Sequence, residues 1–291
     1  MDMNYETIIT PPVDAASVLL LRDSEEGLQV LLMRRAQASQ VLGGAYVFPG
    51  GKVDAQDHAQ PVLSCLSETP ARLQQRLHEP DLEPSRAAGL FMAALREAFE
   101  ECGVLAAQDQ QGPSLAAQLR ASASPGGWHQ SLISGGLCLN TEALLPWSRW
   151  ITPRQPAVTN KRFDTRFFLA RVCDDQIARH DDFETTDSVW LTPRQALARY
   201  AAAEIDLVAP QIMSLYELKA HQTVQQALDE AKQRPPALIE PHPFDEEGQR
   251  ILCYPGDVSH PVQSRAMRGP TRLLFAKGRF IPLGGMDQLL D

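Results

Sequence analysis

The chain has 291 residues, of which 44% are hydrophobic and 22% are charged, and this composition is ordinary for a globular protein. Its length is enough to bury a sizeable core in one large domain or two small ones. The net charge of −9 argues against a general nucleic-acid-binding surface, and the longest apolar runs are too short for a transmembrane helix. The start of the chain does not resemble a signal peptide, and the five cysteines form no C-x-x-C pair, so we expect a cytoplasmic protein with reduced thiols.

Two apolar segments near the N-terminus predict a β-hairpin. Residues 15–22 and 28–35 both have strand-like composition, and the polar turn 23–27 joins them. Arg34 and Arg35 end the second segment. They are either solvated charges at a strand end or contacts to an anionic substrate.

A glycine pair follows the hairpin in the segment Phe48-Pro49-Gly50-Gly51-Lys52. Residues without a Cβ let a backbone carbonyl or amide approach a metal ion or a phosphate closely, so we expect a sharp turn with a functional role. Downstream, residues 58–84 contain spaced leucines, which predict one or two short amphipathic helices.

The next helix is predicted to begin near Ser85, a suitable N-cap, and to end at Gly103, which readily adopts the left-handed conformation. At about 100° per residue its apolar residues share one face, while its acidic and basic residues fall within an arc of about 140° on the other side. That second face carries Arg96, Glu97, Glu100 and Glu101. Three clustered carboxylates supply the oxygen ligands that Mg²⁺ or Mn²⁺ prefers, although a solvated acidic face would give the same pattern.

The turn and the helix together resemble the Nudix box, G-x5-E-x7-R-E-U-x-E-E-x-G-U, in which U is apolar. The second half of this pattern is matched at every specified position, by Arg96, Glu97, Ala98, Glu100, Glu101, Gly103 and Val104. In the first half, Gly51 lies six residues before Asp57, an acid where the pattern has glutamate. Between Asp57 and Arg96 lie 38 residues, 31 more than the pattern has. The sequence is therefore identified as a Nudix hydrolase with an insertion in its box.

Further segments resemble the coenzyme A and acyl-coenzyme A diphosphatase branch of this superfamily. The upstream signature of these enzymes, L-L-T-x-R-[SA]-x3-R-x3-G-x3-F-P-G-G, is similar to residues 31–51. Met33 replaces its threonine and Gln40 replaces its second arginine, so one charged contact to the 3′-phosphate is missing. Residues 150–153 and 162–168, together with the long insertion in the box, are also similar to the acyl-coenzyme A diphosphatases.

The resemblance implies an α+β Nudix fold, an α/β/α sandwich around a mixed β-sheet. It also implies Mg²⁺ or Mn²⁺ as cofactor, held by Glu97, Glu100, Glu101 and the carbonyl of Gly50. Arg96 would hold the glutamates in place. The general base would be Glu97 or an acid from the loop before a later strand, where Glu184 is our choice and Asp187 the alternative. A solvated loop or a helix cap would also explain these acids.

Substrate contacts are predicted on both sides of the box, by Arg34, Arg35, Phe48, Gly51, Lys52 and Arg162. Arg162 belongs with Lys161 and Arg166 to the densest basic cluster of this acidic chain. We expect that cluster to bind the phosphate or adenine side of a nucleotide, with ordinary strand-edge charge as the alternative.

The sequence thus predicts a metal-dependent diphosphatase that converts coenzyme A or acyl-coenzyme A to 3′,5′-ADP and (acyl-)phosphopantetheine. Hydrolysis of ADP-ribose or another nucleoside diphosphate derivative is an alternative, as is a non-catalytic ligand sensor, against which the three box glutamates argue. We expect residues 1–205 to form the Nudix domain, with 58–84 as its insertion, and 206–291 to form a helical and β extension that packs on the core. The expected partner is a small nucleotide substrate, not a nucleic acid or a membrane, and a homodimer is one possible assembly.

Overall fold

The computed structural model describes residues 6–36, 43–104, 119, 127–156, 158, 161–172 and 185–291. The strands of the first part of the chain are β1 (Val13–Ser24), β2 (Gly27–Arg35), β3 (Tyr46–Val47), β4 (Gly50–Lys52), β5 (Leu145–Ile151), β6 (Phe163–Arg171) and β7 (Thr185–Leu191). The helices are α1 (Gln60–Leu63), α2 (Pro70–Leu77), α3 (Pro84–Cys102), α4 (Gly127–Gly135), α5 (Pro193–Ala201), α6 (Ala209–Leu218) and α7 (Val224–Gln233). None of these described helices is long and apolar enough to cross a membrane.

The last part of the chain adds β8 (Ala237–Ile239), β9 (His242–Glu246), β10 (Gln249–Cys253), β11 (Arg272–Ala276) and β12 (Arg279–Pro282). The main sheet has the order β3-β2-β1-β6-β5-β8, with β4 pairing with β1 and β7 pairing with β2. The pairs β1/β6 and β5/β8 are parallel and the other pairs are antiparallel, so the sheet is mixed. A second, antiparallel sheet has the order β12-β11-β10-β9.

The main sheet is covered on both faces because its central strands are apolar on both sides. In β1, Val18 and Leu20 pack into one buried cluster with α1–α4, while Leu19 and Leu21 pack into a second cluster with α5–α7. This alternation is the period-two pattern of a strand between two layers. The predicted α/β/α sandwich around a mixed sheet is confirmed.

Helix α3 differs at its start from the sequence prediction. Its N-cap is Glu83, whose carboxylate accepts a hydrogen bond from the backbone N–H of Arg86, so the prediction that Ser85 caps the helix is wrong. The hydroxyl of Ser85 donates to that same carboxylate, which makes Ser85 a support of the cap. The helix ends as predicted at Gly103, which adopts φ 67° and accommodates the left-handed turn without a Cβ.

The insertion forms the two short helices α1 and α2, which pack against α3. Leu73 and Leu77 are buried in the same cluster as Phe91, and the guanidinium of Arg76 lies 5.0 Å from the centre of the Phe91 ring. The insertion therefore extends the helical layer over the sheet and enlarges the core.

An ion-pair network joins the end of the insertion to the sheet. Arg166 on β6 is buried, and its guanidinium donates to Glu79 at 2.6 Å and to Asp14 at 2.8 Å. Arg149 on β5 forms ion pairs with Glu79 at 2.8 Å and with Asp164 at 2.7 Å. Charges removed from water in this way are stable as long as every member keeps its partners.

The C-terminal residues extend the sheet and also pack on it. Strand β8 lies parallel to β5, and the second sheet packs Leu252, Leu273 and Phe280 into the cluster beneath α5–α7. The hydroxyl of Tyr200 donates to the carbonyl of Phe280 at 2.7 Å and accepts from its N–H at 2.9 Å. These bonds fix β12 against α5. The division of the chain at residue 205 stays a prediction.

We expect Arg166→Leu to destabilise the fold by about 3–5 kcal/mol, because it leaves the carboxylates of Glu79 and Asp14 without their buried cation. Arg171→Leu on the same strand is the matched control, since Arg171 forms an exposed ion pair with Asp23 and should cost less than about 1 kcal/mol. Urea unfolding of the two variants measures the difference. Equal losses would show that the network does not anchor the insertion.

Candidate active site

The glycine turn lies against the middle of β1. The carbonyl of Pro49 accepts hydrogen bonds from the hydroxyl of Ser17 at 3.0 Å and from the N–H of Val18 at 2.8 Å. A Cβ on Gly50 would lie 2.4 Å from the carbonyl oxygen of Ala16, so no larger residue fits this position without moving the backbone. The turn is thus held tightly to the central strand of the sheet.

The acidic face of α3 packs onto this turn. Glu101 is buried, and its carboxylate accepts a hydrogen bond from the N–H of Gly50 at 2.9 Å. A Cβ on Gly51 would lie 2.4 Å from Oε1 of Glu97, so the second glycine leaves the space in which that carboxylate sits. The predicted convergence of the box acids with the glycine turn is therefore present in the structure.

The guanidinium of Arg96 connects two of the box acids to the strand after the glycine turn by hydrogen bonds. Its guanidinium donates to Glu97 at 2.8 Å, to Glu100 at 3.0 Å and to the carbonyl of Lys52 at 3.0 Å. Its Nε and Nη2 bind both oxygens of Asp57, at 3.1 and 3.0 Å. Burial alone would lower the pKa of Arg96, but the hydrogen bond to Asp57 and the charges of Glu97 and Asp57 raise it, so the group stays a cation.

Asp57 has a second partner that the sequence did not indicate. His129 on α4 lies with its Nε2 2.7 Å from Oδ1 of Asp57, and the neighbouring Trp128 ring packs on Phe99 of α3 with 5.1 Å between ring centres. Burial would raise the pKa of Asp57, but the hydrogen bonds from His129 and Arg96 and the charge of Arg96 lower it below its usual range. No local sequence pattern around His129 signalled this contact, because it joins residues 72 positions apart.

The site opens into a cavity of about 850 Å³. One part of its wall consists of the turn and the acid face, namely Gly50, Gly51, Lys52, Asp54, Arg96, Glu97 and Glu100. Another part is mainly apolar and comes from the sheet and from the C-terminal part of the chain, namely Phe48, Trp150, Phe163, Phe167, Val208, Leu252 and Phe280. The volume is in the range of pockets that hold a whole small-molecule ligand.

The predicted substrate contacts divide into two groups. Arg35, Phe48, Gly51 and Lys52 line the cavity, and the Nε of Arg35 is buried without a hydrogen-bond partner among the described residues. Arg34 is exposed and, within the described chain, does not belong to the cavity wall.

The basic cluster around Arg162 is engaged mainly by the protein itself. The guanidinium of Arg162 donates to the carbonyl of Thr152 at 2.8 Å and lies 3.5 Å from Glu240. Among the described residues, Lys161 lines the cavity but Arg162 and Arg166 do not. Substrate binding by Arg162 stays a prediction.

Two acids were proposed as alternatives for the general base outside the box. Glu184 lies outside the described residues, as does Gln40 of the upstream signature. Asp187 is exposed at the start of β7 and accepts a hydrogen bond from the hydroxyl of Tyr46 at 2.8 Å. In the part of the chain that is described, it does not line the cavity.

Comparison with known proteins decides the family. Residues 10–219, more than half of the chain, match the family described as the NUDT19 Nudix domain. The chain belongs to the Nudix hydrolases. Members of this family act on diphosphate bonds. A crystal structure of a NUDIX hydrolase from Alicyclobacillus acidocaldarius is similar, with a TM-score of 0.59 and 29% identity over 76% of this chain and 97% of that one.

Curated relatives of this Nudix hydrolase include proteins from Gallus gallus, Xenopus laevis and Homo sapiens that are named acyl-coenzyme A diphosphatase NUDT19. The protein from Gallus gallus is 29% identical over 70% of this chain and 67% of its own length, and that from Homo sapiens is 28% identical over 66% and 61%. A putative nudix hydrolase 7 from Caenorhabditis elegans is 26% identical over 90% of this chain and 79% of its own length.

Nudix hydrolases generally use divalent metal ions, and the donors at this site fit such an ion in their chemistry. Glu97, Glu100, Glu101 and the Gly50 carbonyl provide oxygen ligands exclusively, as hard cations prefer. In the described chain no three acidic, histidine or cysteine side chains already converge as a metal shell, because Glu97 and Glu100 are turned onto Arg96. Glu100 is 47% exposed, and to turn towards an ion it would exchange its hydrogen bond from Arg96 for that ion.

We expect Asp57→Asn to destabilise this Nudix hydrolase by about 3 kcal/mol at neutral pH, because it removes the buried charge that pairs with Arg96. Since the folded-state pKa of Asp57 lies below its ordinary value of 3.8, its carboxylate stabilises the fold above that pH and loses this effect as the pH falls through the lowered pKa. Urea unfolding at a series of pH values should therefore show the two proteins converging below 3.8. A difference that stays constant across that range would contradict the assigned pairing.

Substitution by alanine at the two glycines of the turn should have different effects on activity and stability. Gly51→Ala pushes only the end of the Glu97 side chain, so we expect kcat to fall by about 100-fold with little loss of stability. Gly50→Ala is the control, because its Cβ meets backbone atoms of β1 and should cost about 1–3 kcal/mol of stability as well. Steady-state kinetics and thermal unfolding measure both effects. Full activity of Gly51→Ala would show that the position of Glu97 does not matter.

Proposed function

We propose that the chain hydrolyses the diphosphate link of coenzyme A or an acyl-coenzyme A and releases 3′,5′-ADP and (acyl-)phosphopantetheine. The observation that carries the proposal is the lining of the cavity, in which Glu97 and Glu100 of the box share one space with a mainly apolar wall. Hydrolysis of a diphosphate needs a metal ion of the kind that these acids would hold, and the apolar wall suits the aliphatic arm of such a substrate. The names of the curated relatives support the same substrate class.

The cofactor of this reaction would be Mg²⁺ or Mn²⁺, held by Glu97, Glu100, Glu101 and the Gly50 carbonyl. When bound, such an ion neutralises the diphosphate and lowers the pKa of a water molecule that attacks it. Arg96 sets the positions of Glu97 and Glu100 through the hydrogen bonds described above. The residues of the box would thus hold the ion, and the ion would supply the positive charge that neutralises the diphosphate.

The proton of the attacking water needs an acceptor in the same site. Glu97 lines the cavity and is the candidate within the box, and Glu184 is the candidate outside it. Arg35 is suited to the phosphates, since its buried Nε has no partner in the described chain and would gain one from a phosphate oxygen. The lining of the cavity therefore includes a candidate base, Glu97, and a cation, Arg35.

A substrate panel tests the proposal. The purified protein is incubated with Mg²⁺ or Mn²⁺ and with coenzyme A, an acyl-coenzyme A or ADP-ribose, and the products are resolved by chromatography. We expect 3′,5′-ADP from the first two substrates. Turnover of ADP-ribose without turnover of coenzyme A would favour the alternative Nudix specificity. No product from any substrate would reject an enzymatic function.

Glu100→Gln separates an enzyme from a ligand sensor. We expect kcat to fall by about 100-fold, because an amide replaces a charged metal ligand. Glu25→Gln is the control, since it makes the same change in the exposed turn between β1 and β2. A variant at Glu100 with unchanged turnover would mean that the box acids do not serve catalysis.

A further inference from the structure

Gln211 lies in the first turn of α6 and combines burial with an incomplete set of hydrogen bonds. Its residue surface is 7% exposed, and its Oε1 has no hydrogen-bond partner in the described part of the chain. A buried amide oxygen without a partner costs about 1–3 kcal/mol, so such groups are rare unless something else pairs with them. Gln211 lines the same cavity as Glu97 and Glu100, which places a bound ligand within its reach.

The surroundings of Gln211 restrict what this ligand can be. The C-terminal part of the chain brings Val208, Pro241, Leu252 and Phe280 to the same cavity, and all four are apolar. Phe280 is held in place by the two hydrogen bonds between its backbone and the Tyr200 hydroxyl. A ligand group that pairs with the Gln211 oxygen must therefore donate an N–H or O–H, and the neighbouring part of the ligand meets apolar side chains.

We propose that Gln211 binds an amide group of the pantetheine arm of the substrate and that the wall formed by the C-terminal extension packs on the methylene groups beside it. This inference rests on the proposed function. The pantetheine arm is an aliphatic chain interrupted by amides, and each amide presents an N–H and a C=O side by side. Either orientation of the Gln211 amide therefore finds a partner. Gln211 is thus a specificity-determining residue, separate from the groups that act on the diphosphate.

An adenine ring is the other part of the substrate that offers an N–H, through its amino group. The amide arm fits better, because Phe280 is the one aromatic ring that the described part of the extension contributes to the wall, so the extension offers no pair of aromatic rings between which adenine could stack. The two assignments predict opposite results for the two reaction products. Phosphopantetheine carries the amides, and 3′,5′-ADP carries the adenine.

Gln211→Met tests the assignment, because it keeps the size of the side chain and removes the amide. Titration calorimetry with the full chain and Mg²⁺ should show phosphopantetheine binding weakened about fivefold, as expected for one neutral hydrogen bond, and 3′,5′-ADP binding unchanged. The thermal midpoint should stay the same or rise, because an unpaired buried oxygen is lost. Gln211→Asn, which withdraws the amide from the cavity, is a second variant that should weaken phosphopantetheine binding in the same way.

Met213→Leu is the matched control on the same helix. Met213 is fully buried and, among the described residues, does not line the cavity, so this change should leave both affinities unaltered. The inference would be overturned if Gln211→Met bound phosphopantetheine as the wild type does, or if it lost affinity for 3′,5′-ADP instead. If the wild type still hydrolysed coenzyme A, the proposed function would not be affected by that result. If the wild type neither hydrolyses coenzyme A nor binds phosphopantetheine, the proposed function fails and the inference fails with it.

Discussion

The guanidinium of Arg96 is the group on which the candidate site depends. A guanidinium is rigid and planar, so fixing one edge of it also fixes the directions of its remaining N–H groups. Here Asp57 binds one edge with both carboxylate oxygens, and Nη1 on the other side reaches Glu97 and Glu100. The carbonyl of Lys52 ties the same group to the strand after the glycine turn. The positions of Glu97 and Glu100 are thus set by their hydrogen bonds from Arg96 and not by their own helix alone.

The two layers that cover the sheet contribute different parts of this site. The α1–α4 layer supplies the acids and the groups that orient them, including His129 behind Asp57. The opposite layer, with the C-terminal sheet, supplies part of the apolar wall of the cavity, including Val208, Leu252 and Phe280, and the main sheet supplies the rest. The residues that the C-terminal extension contributes to the cavity are thus separate from the acids and from Arg96. The insertion belongs to the first layer, and none of its described residues lines the cavity.

The sequence predicted those features that depend on local pattern. The strands, the helix with its acidic face and the glycine turn follow from periodicity and from the box motif, and the structure agrees with them. The predicted N-cap of α3 was wrong because Ser85 and Glu83 can both accept a hydrogen bond from the first turn of the helix. The sequence alone does not say which of the two does. The contact between Asp57 and His129 was missed because it depends on where a distant helix docks. The charge pattern located the cluster at Arg162 but did not identify its partners, many of which are backbone carbonyls.

The long interruption of the box raises the question of why its two halves still meet. The cost of closing a loop grows with the logarithm of its length, so 38 residues in place of seven cost only about 1.5 kcal/mol more. The insertion offsets this cost itself, because Leu73 and Leu77 are buried against α3. At the start of the insertion, Asp57 is fixed locally, since its carboxylate accepts a hydrogen bond from the N–H of Asp54 at 2.8 Å. The pairing of Asp57 with Arg96 therefore depends on the short turn before the insertion and on the helix after it, and is compatible with a packed insertion of this length between them.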